Sequence, residues 1–395
     1  MKYFLCIVLI IASISLGANP SWETLFPKLD QDFTLKVPNP IVDIELDSHG
    51  NWYILHQDSD SLYIEIVNRR GKHKETYSCD LGVTPNPVVR DMTLSESGKI
   101  LIIGSDYELT TPINWVLDEN GEDILPAENV LKYAEWLQIS PGGDFFTSQG
   151  YSNLSVFPDV YTSNWEKYQL EKRWIHHGYF IGLGDNGEDL LLMTETDTAG
   201  TGLALLALPS QEELFTEHLE PANSYLLPHR GRITAGKDIL VMTLPENIGG
   251  KIYGLNRENG EILWTMDPTD RLVQLGTSFE GNKFAYIGDY CVQIIDNEGT
   301  ELSLYCADYR KTNGPVFRPG IPTITFWEKY GLLMVNLSTP GSQIAARTIV
   351  MNFTQDWEAT KFAPLNFTLK GFNTEKEDFL ANARGKELEI YKIKP

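Results

Sequence analysis

The sequence predicts an all-β fold built from one repeating unit, and three observations carry that expectation. Short apolar runs rich in Val, Ile, Leu and aromatic residues recur between polar turns containing Gly and Asn. The runs come in groups of four, about 40 residues per group. Sustained 3.6-residue periodicity is nearly absent, and Ala127–Leu137 is the best candidate for one short helical turn.

The clearest hairpin is Lys251–Asp267, KIYGLNRENGEILWTMD. Ile252 and Tyr253 open its first strand; Ile262, Trp264 and Met266 share a face of its second. Asn259-Gly260 predicts a two-residue type I′ turn, in which both central residues need positive φ. That register sets Trp264 against Leu255. Looser copies fill the chain. In each unit strand a ends in a polar turn, strand b is strongly apolar, a variable loop follows, and strands c and d form a hairpin. The modules are Val42–Leu81, Arg90–Pro126, Glu135–Leu170, Tyr179–His218, Arg232–Asp267, Val273–Cys306 and Pro322–Pro364. Leu369–Ile393 supplies only a, b and c. Asp32–Val37 belongs to no module and is predicted to pair with the last strands, removing the edge that an open ring would expose. Four-stranded units at this spacing form the pattern of a β-propeller. Seven full modules and one split module predict eight blades in a single domain over 19–395; seven blades is the alternative.

Two short stretches add family resemblances. GKIYGLNRENGEILWTMD resembles the repeat of quinoprotein-like propellers, with a "Y-x-L-x" strand, a Gly turn and a "G-x-x-x-W" strand. VDIELDSHGNWYIL resembles the strand-turn-strand of NHL-type propellers. Both resemblances imply the propeller superfold. Quinoprotein dehydrogenases also carry an adjacent Cys-Cys pair and a calcium-binding active site. This chain has no Cys-Cys, so PQQ and that activity are not implied, and no cofactor is expected.

Residues 1–18 read as an export signal: Met1-Lys2, an apolar run from Leu5 to Ile14, then small residues. The expected location is secreted or periplasmic, with a retained anchor as the alternative. Cys6 lies within the apolar run, and no later stretch approaches the ~18 apolar residues of a span. A formal charge of −22 argues against nucleic acid or anionic membrane as a general partner. Counting outward from a Glu298-Gly299 loop puts Cys291 opposite Cys306, a pair that an oxidising compartment permits to bridge. Reduced thiols, or a register shifted by one, are the other readings. Cys79 then has no partner.

Function is sought at one end of the predicted ring. The b–c loops and d–a connectors share that end and are long; the a–b and c–d turns share the other and are short. Arg90, Arg173, Arg230, Arg232, Arg271, Arg310 and Arg318 fall in or at the edge of d–a connectors. A ring of guanidinium groups there suits a carboxylate- or sulfate-bearing ligand; alternatively, each Arg pairs with a neighbouring acid and ties down a loop. Trp174, His176 and His177 sit beside Arg173, and Tyr225 and His229 lie in the next connector, suited either to stacking on sugars or to packing the connector. His176-His177 is a poor metal pair, because adjacent strand residues point to opposite faces. Asp185–Asp189 and Asp118–Asp123 offer oxygen ligands for calcium, but they lack the spaced calcium-loop pattern and read better as turns. No metal site is assigned. No G-x-S-x-G, H-E-x-x-H, P-loop or G-x-G-x-x-G motif occurs. Asp91, Glu135 and Asp270 are the carboxylates nearest strand-a entries. Asn153, Asn336, Asn352 and Asn366 head Asn-x-Ser/Thr sites. The leading expectation is a non-catalytic scaffold for a protein or glycan partner, with an anionic partner the kind that the arginines suit. The alternative is a lyase or hydrolase acting on an acidic carbohydrate at the channel mouth.

Overall fold

The computed structural model of the chain describes residues 22–81, 87–95, 98–106, 112–118, 120–123, 134–139, 145–150, 159–162, 178–183, 189–196, 200–207, 212–219, 232–243, 251–308, 316–317, 323–337, 347–374 and 376–394. After a 3-10 turn at Trp22–Leu25, β1 (Lys28–Lys36) leads into the first sheet. That sheet is β2 (Ile41–Leu46), β3 (Trp52–Gln57), β4 (Ser61–Val67) and β5 (His73–Asp80). The second is β6 (Pro87–Leu94), β7 (Ile100–Asp106) and β8 (Pro112–Leu117); the third is β9 (Ala134–Ile139), β10 (Phe145–Gly150) and β11 (Asp159–Thr162). The fourth is β12 (Gly178–Leu183), β13 (Asp189–Thr196), β14 (Gly200–Ala207) and β15 (Glu212–Leu219). The fifth is β16 (Arg232–Ala235), β17 (Ile239–Thr243), β18 (Ile252–Asn256) and β19 (Ile262–Met266). The sixth is β20 (Leu272–Thr277), β21 (Lys283–Gly288), β22 (Cys291–Asp296) and β23 (Glu301–Cys306). The seventh is β24 (Thr323–Trp327), β25 (Leu332–Asn336), β26 (Thr348–Phe353) and β27 (Ala359–Leu365). The closing sheet is β28 (Thr368–Asn373), β29 (Asp378–Arg384), β30 (Glu387–Lys394) and, outermost, β1.

Each sheet is antiparallel, and its first strand adjoins the first strand of the next sheet. The closing sheet comes back against β2. The ends of the chain meet where Lys28 pairs with Lys394 and Lys36 with Glu387. This pairing uses strand edges that would otherwise recruit other chains.

The core lies between consecutive sheets. In the fifth and seventh sheets strand b is buried on both faces, so it is mostly apolar rather than alternating; all five residues of β17 and of β25 are buried. One cluster joins the closing and first sheets through Trp52, Ile54, Phe379 and Ile390. Another joins the sixth and seventh through Ile287, Ile294, Phe326 and Leu333.

Two local expectations are corrected. The Asn259-Gly260 turn is not type I′, because Gly260 has φ +74° while Asn259 is not in the positive-φ region. Asn256 Oδ1 accepts the Glu258 N–H (2.8 Å), and the Gly260 N–H closes onto the Asn256 carbonyl (2.9 Å). That side-chain cap makes a longer loop with glycine in the left-handed position. The register shifts by one residue, so Trp264 lies opposite Gly254 and Leu255 opposite Ile262. The second correction is Ala134–Leu137, which belongs to β9 because it pairs with β10. The rest of that helical candidate, 127–133, lies outside the described residues.

Trp264 reaches the neighbouring sheet, where its Nε1–H donates to the Asn297 carbonyl at 2.8 Å. Its ring covers Gly299, where a Cβ would stand 2.6 Å away. Phe33 of β1 covers Gly71 in the same way, and Tyr77 of β5 covers Gly121. In each case an aromatic residue on an outermost strand closes over the c–d turn of the next sheet. In the seventh sheet Trp357 itself occupies the left-handed turn position, at φ +63°, and packs on Phe326 and Phe353.

Candidate functional site

Antiparallel alternation puts all b–c loops and d–a connectors at one end of the ring. Strand bounds leave 47–51, 278–282 and 374–377 between a and b. At the other end the lengths vary: 220–231 and 307–322 are long d–a connectors, whereas the d–a connector 366–367 and the b–c turns 58–60, 289–290 and 385–386 are short, so the expectation of long loops holds only in part. Arg173, Trp174, His177, Arg230, Arg310 and Arg318 lie outside the described residues, as do His176, Tyr225 and His229. Arg90 is corrected: it lies inside β6, which the pairing of Pro87 with Asp106 extends upstream of the predicted module start. There it occupies a β-bulge between Val89 and Asp91. Arg232 begins β16, opposite Thr243. Arg271 precedes β20, and its carbonyl accepts the Asp289 N–H at 3.0 Å.

The channel-carboxylate expectation fails for Asp270. Its two oxygens accept the N–H groups of Asp289 (2.7 Å), Tyr290 (2.7 Å) and Cys291 (2.9 Å). It is a structural cap on the b–c turn of the sixth sheet. Asp91 follows the bulge in β6, and Glu135 sits at a corresponding irregularity in β9. Asp118 is also turn chemistry. Desolvation raises its pKa, but the N–H groups of Glu122, Asn120 and Gly121 outweigh that and hold the carboxyl below its ordinary value. No group of three potential metal-ligating His, Cys, Asp or Glu occurs among the described residues. Of the Asp185–Asp189 turn, Asp189 begins β13 and 185–188 lie outside the described residues. Cys291 stands opposite Cys306 across β22 and β23, and a disulfide joins them. Half-buried Cys79 is a poor nucleophile: burial first, then Asp123 and Asp80, push its thiol up to about 11.

Sequence reasoning missed a charged cluster on the innermost strands. Lys370 of β28 reaches across the seam between the closing and first sheets to Glu45 (2.6 Å) and Asp43 (3.1 Å), both on β2. A bulge between Ile41 and Asp43 re-aims Asp43, whose Oδ1 also accepts the Ile44 N–H (2.8 Å). Burial pushes the Glu45 carboxyl up to about 7, opposed by Lys370 and reinforced by Asp43. Desolvation lowers the Lys370 pKa, but the two carboxylates outweigh it, so the ammonium is held charged. The signal was present: alternating acids in IVDIEL and a lysine in LKGF, on strands that become neighbours once the ring closes.

Among solved structures, the C-terminal WD40 domain of Sif2 matches 94% of this chain and 99% of its own, at 12% identity and a TM-score of 0.54. The fold is a β-propeller. The propeller also resembles Kluyveromyces lactis Hsv2 (13% identity; 83% of this chain and 99% of that one; TM-score 0.49). A further similar structure is the Myceliophteria thermophila Cps50 (Swd1) β-propeller domain (10% identity; 93% and 100%; TM-score 0.47). No family model and no curated protein matches the chain, so the likeness reaches the superfold and not the quinoprotein or NHL repeat types. No helix among the described residues is long and apolar enough to cross a membrane.

Proposed function

We propose that this propeller, with each of its eight sheets forming one blade, is an exported, non-catalytic scaffold. It binds a protein or glycan partner through the end that bears its long connectors. The observation that carries the reading is the asymmetry between the ends, 220–231 and 307–322 against turns such as 47–51. Long loops on a rigid frame are where recognition concentrates. The likeness to a WD40 domain supports a protein partner ahead of a glycan. Arg230, Arg310 and Arg318 in those connectors, and Arg173 in the one before β12, favour an anionic group on the partner. The test is partner recovery by crosslinking with Gly-Ser linkers in place of 220–231 and 309–315, which spares the buried Val316 and Phe317. Glu298→Lys, on a c–d turn of the sixth sheet, is the control. Recovery survives the control and is lost with the linkers; equal loss in both sinks the assignment of the face.

One observation favours a second reading, an enzyme on acidic carbohydrate. Glu45, held near pH 7 beside Lys370 on an innermost strand, is suited to proton transfer. Turnover of a uronate polymer that Glu45→Gln abolishes selects this reading, and no turnover by the unaltered chain removes it.

A further inference from the structure

Two arginines at the long-connector end border one short connector and have no acid to pair with. Arg384 ends β29, and its guanidinium lies over the Phe367 ring at 4.2 Å and over the Trp22 ring at 5.8 Å. Its Nε–H donates to Asn382 Oδ1 at 3.3 Å, and Asn382 is itself fully buried and bonded through Nδ2 to Glu389 (2.7 Å). Stacking and that one bond fix the group, yet the hydrogens on Nη1 and Nη2 meet no acceptor among the described residues. Arg347 precedes β26, and its N–H donates to the Leu365 carbonyl at 2.6 Å. Leu365 and Phe367 flank Asn366, so both arginines stand at the connector 366–367 between β27 and β28. Lys386, in the b–c turn after Arg384, adds a third charge. All three are exposed, and none makes an ion pair among the described residues. The acids that follow on β30 are committed: Glu387 faces Lys36 at 3.9 Å, and Glu389 holds Asn382. The chain carries 54 acidic residues against 32 Lys and Arg, so an arginine has many acids to choose from. Two left unpaired beside one connector mark a place for an outside anion.

We propose that Arg384 and Arg347, helped by Lys386, hold a carboxylate-bearing segment of a protein partner at this connector. The inference deepens the reading above and rests on its assignment of the partner to the long-connector end. A guanidinium fork matches a carboxylate with two parallel bonds. Arg384 is already held in place, so little side-chain freedom is lost on binding. Nucleic acid and anionic membrane fit poorly, because both present many charges to a chain whose net charge is −22. A short acidic segment meets chiefly the local cations, since salt screens charges beyond about 10 Å. The Phe367 ring, which could otherwise stack on a sugar, carries Arg384 on its face.

The test is fluorescence anisotropy of the full chain with labelled hexaglutamate, compared with hexaglutamine and an oligogalacturonate. Hexaglutamate is expected to bind and hexaglutamine is not. Arg384→Gln and Arg347→Gln should each weaken binding about tenfold. Arg384→Lys keeps the charge but loses the planar fork, and should not restore the affinity. Lys72→Gln makes the same change of charge on an exposed c–d turn of the first sheet and should leave binding intact. The chain with Gly-Ser linkers separates this site from the reading it rests on. Hexaglutamate binding that persists in that chain and depends on Arg384 supports the site, even where partner recovery contradicts the face. Failure of hexaglutamate to bind the unaltered chain overturns the proposal, as does binding that survives both Gln variants. Full affinity in Arg384→Lys, an equal loss in Lys72→Gln, or tighter binding of the oligogalacturonate overturns it too.

Discussion

Two interfaces between sheets make an instructive pair. The sixth and seventh sheets meet through an apolar cluster that includes Ile287, Ile294, Phe326, Leu333 and Met351. The closing and first sheets also share a buried cluster around Trp52. Their seam adds charges: Lys370 with Asp43 and Glu45, and Arg69 with Glu377. The first interface joins sheets consecutive in sequence, which the chain itself brings together. The second joins strands more than 300 residues apart. Apolar contact is non-directional and accepts many partners. A partly buried ammonium favours an alignment that pairs it, since a displaced seam would leave Lys370 unpaired. The contrast suggests that packing holds the ring while charge selects how it closes.

The comparison can be broken at either interface. Phe326→Ala deletes a fully buried ring between the sixth and seventh sheets and should cost about 4 kcal/mol. Salt should hardly alter that loss in denaturant titrations. Lys370→Met leaves Asp43 and Glu45 facing each other without their cation and should cost about 3 kcal/mol. Replacing Asp43, Glu45 and Lys370 together with Leu, Leu and Met should recover most of that stability. If the triple variant is no more stable than Lys370→Met, the seam depends on shape rather than on charge.

A pH titration of stability sharpens the same point. Glu45 has an ordinary pKa of 4.5, raised to about 7 in the fold. An acid with a raised folded pKa binds its proton more tightly when folded, so its contribution is full below 4.5 and is lost as pH rises to about 7. His56 acts in the opposite sense. It is buried, and desolvation, opposed by Glu65, lowers its pKa from 6.5, so its contribution is lost as pH falls below 6.5. Glu45→Gln should therefore remove the fall in stability between pH 4.5 and about 7 and leave the loss due to His56 below 6.5 in place. A profile unaltered between pH 4.5 and about 7 would show that Glu45 keeps an ordinary pKa.

Why the fold was legible and the site was not follows from particular residues. Strands such as Leu332–Asn336 are buried on both faces, so their apolar runs announce themselves locally. The closing role of β1 was legible because a strand without a module must pair somewhere. The Cys291–Cys306 pair was counted across a two-residue Glu298-Gly299 loop that the structure replaces with a longer turn, in which the Asp296 N–H donates to the Thr300 carbonyl; the bulge between Ile294 and Ile295 offsets the difference and leaves the pair opposed. The Asn256 cap was harder, because a side-chain acceptor altered a turn that the dipeptide alone assigned to another type. The seam cluster was harder still: Asp43 and Lys370 meet only after the whole ring has closed, and no local pattern encodes that meeting.

The smallest expected effect concerns the aromatic covers that recur from sheet to sheet. Trp264 and Tyr77 each cover a c–d turn of the next sheet, but their polar atoms differ. Trp264 Nε1–H crosses to the Asn297 carbonyl, whereas the Tyr77 hydroxyl donates to Glu75 on its own strand (2.8 Å). Trp264→Phe keeps an aromatic ring over Gly299 and loses the crossing bond, so it should cost about 1 kcal/mol. Tyr77→Phe keeps its ring over Gly121 and loses only an exposed bond, so it should cost less than about 0.5 kcal/mol. Chemical denaturation of both variants ranks them. Equal losses would mean that ring contact alone joins neighbouring sheets at this rim. A larger loss in Trp264→Phe would make the fifth–sixth junction one that is fixed by a directed bond as well as by packing.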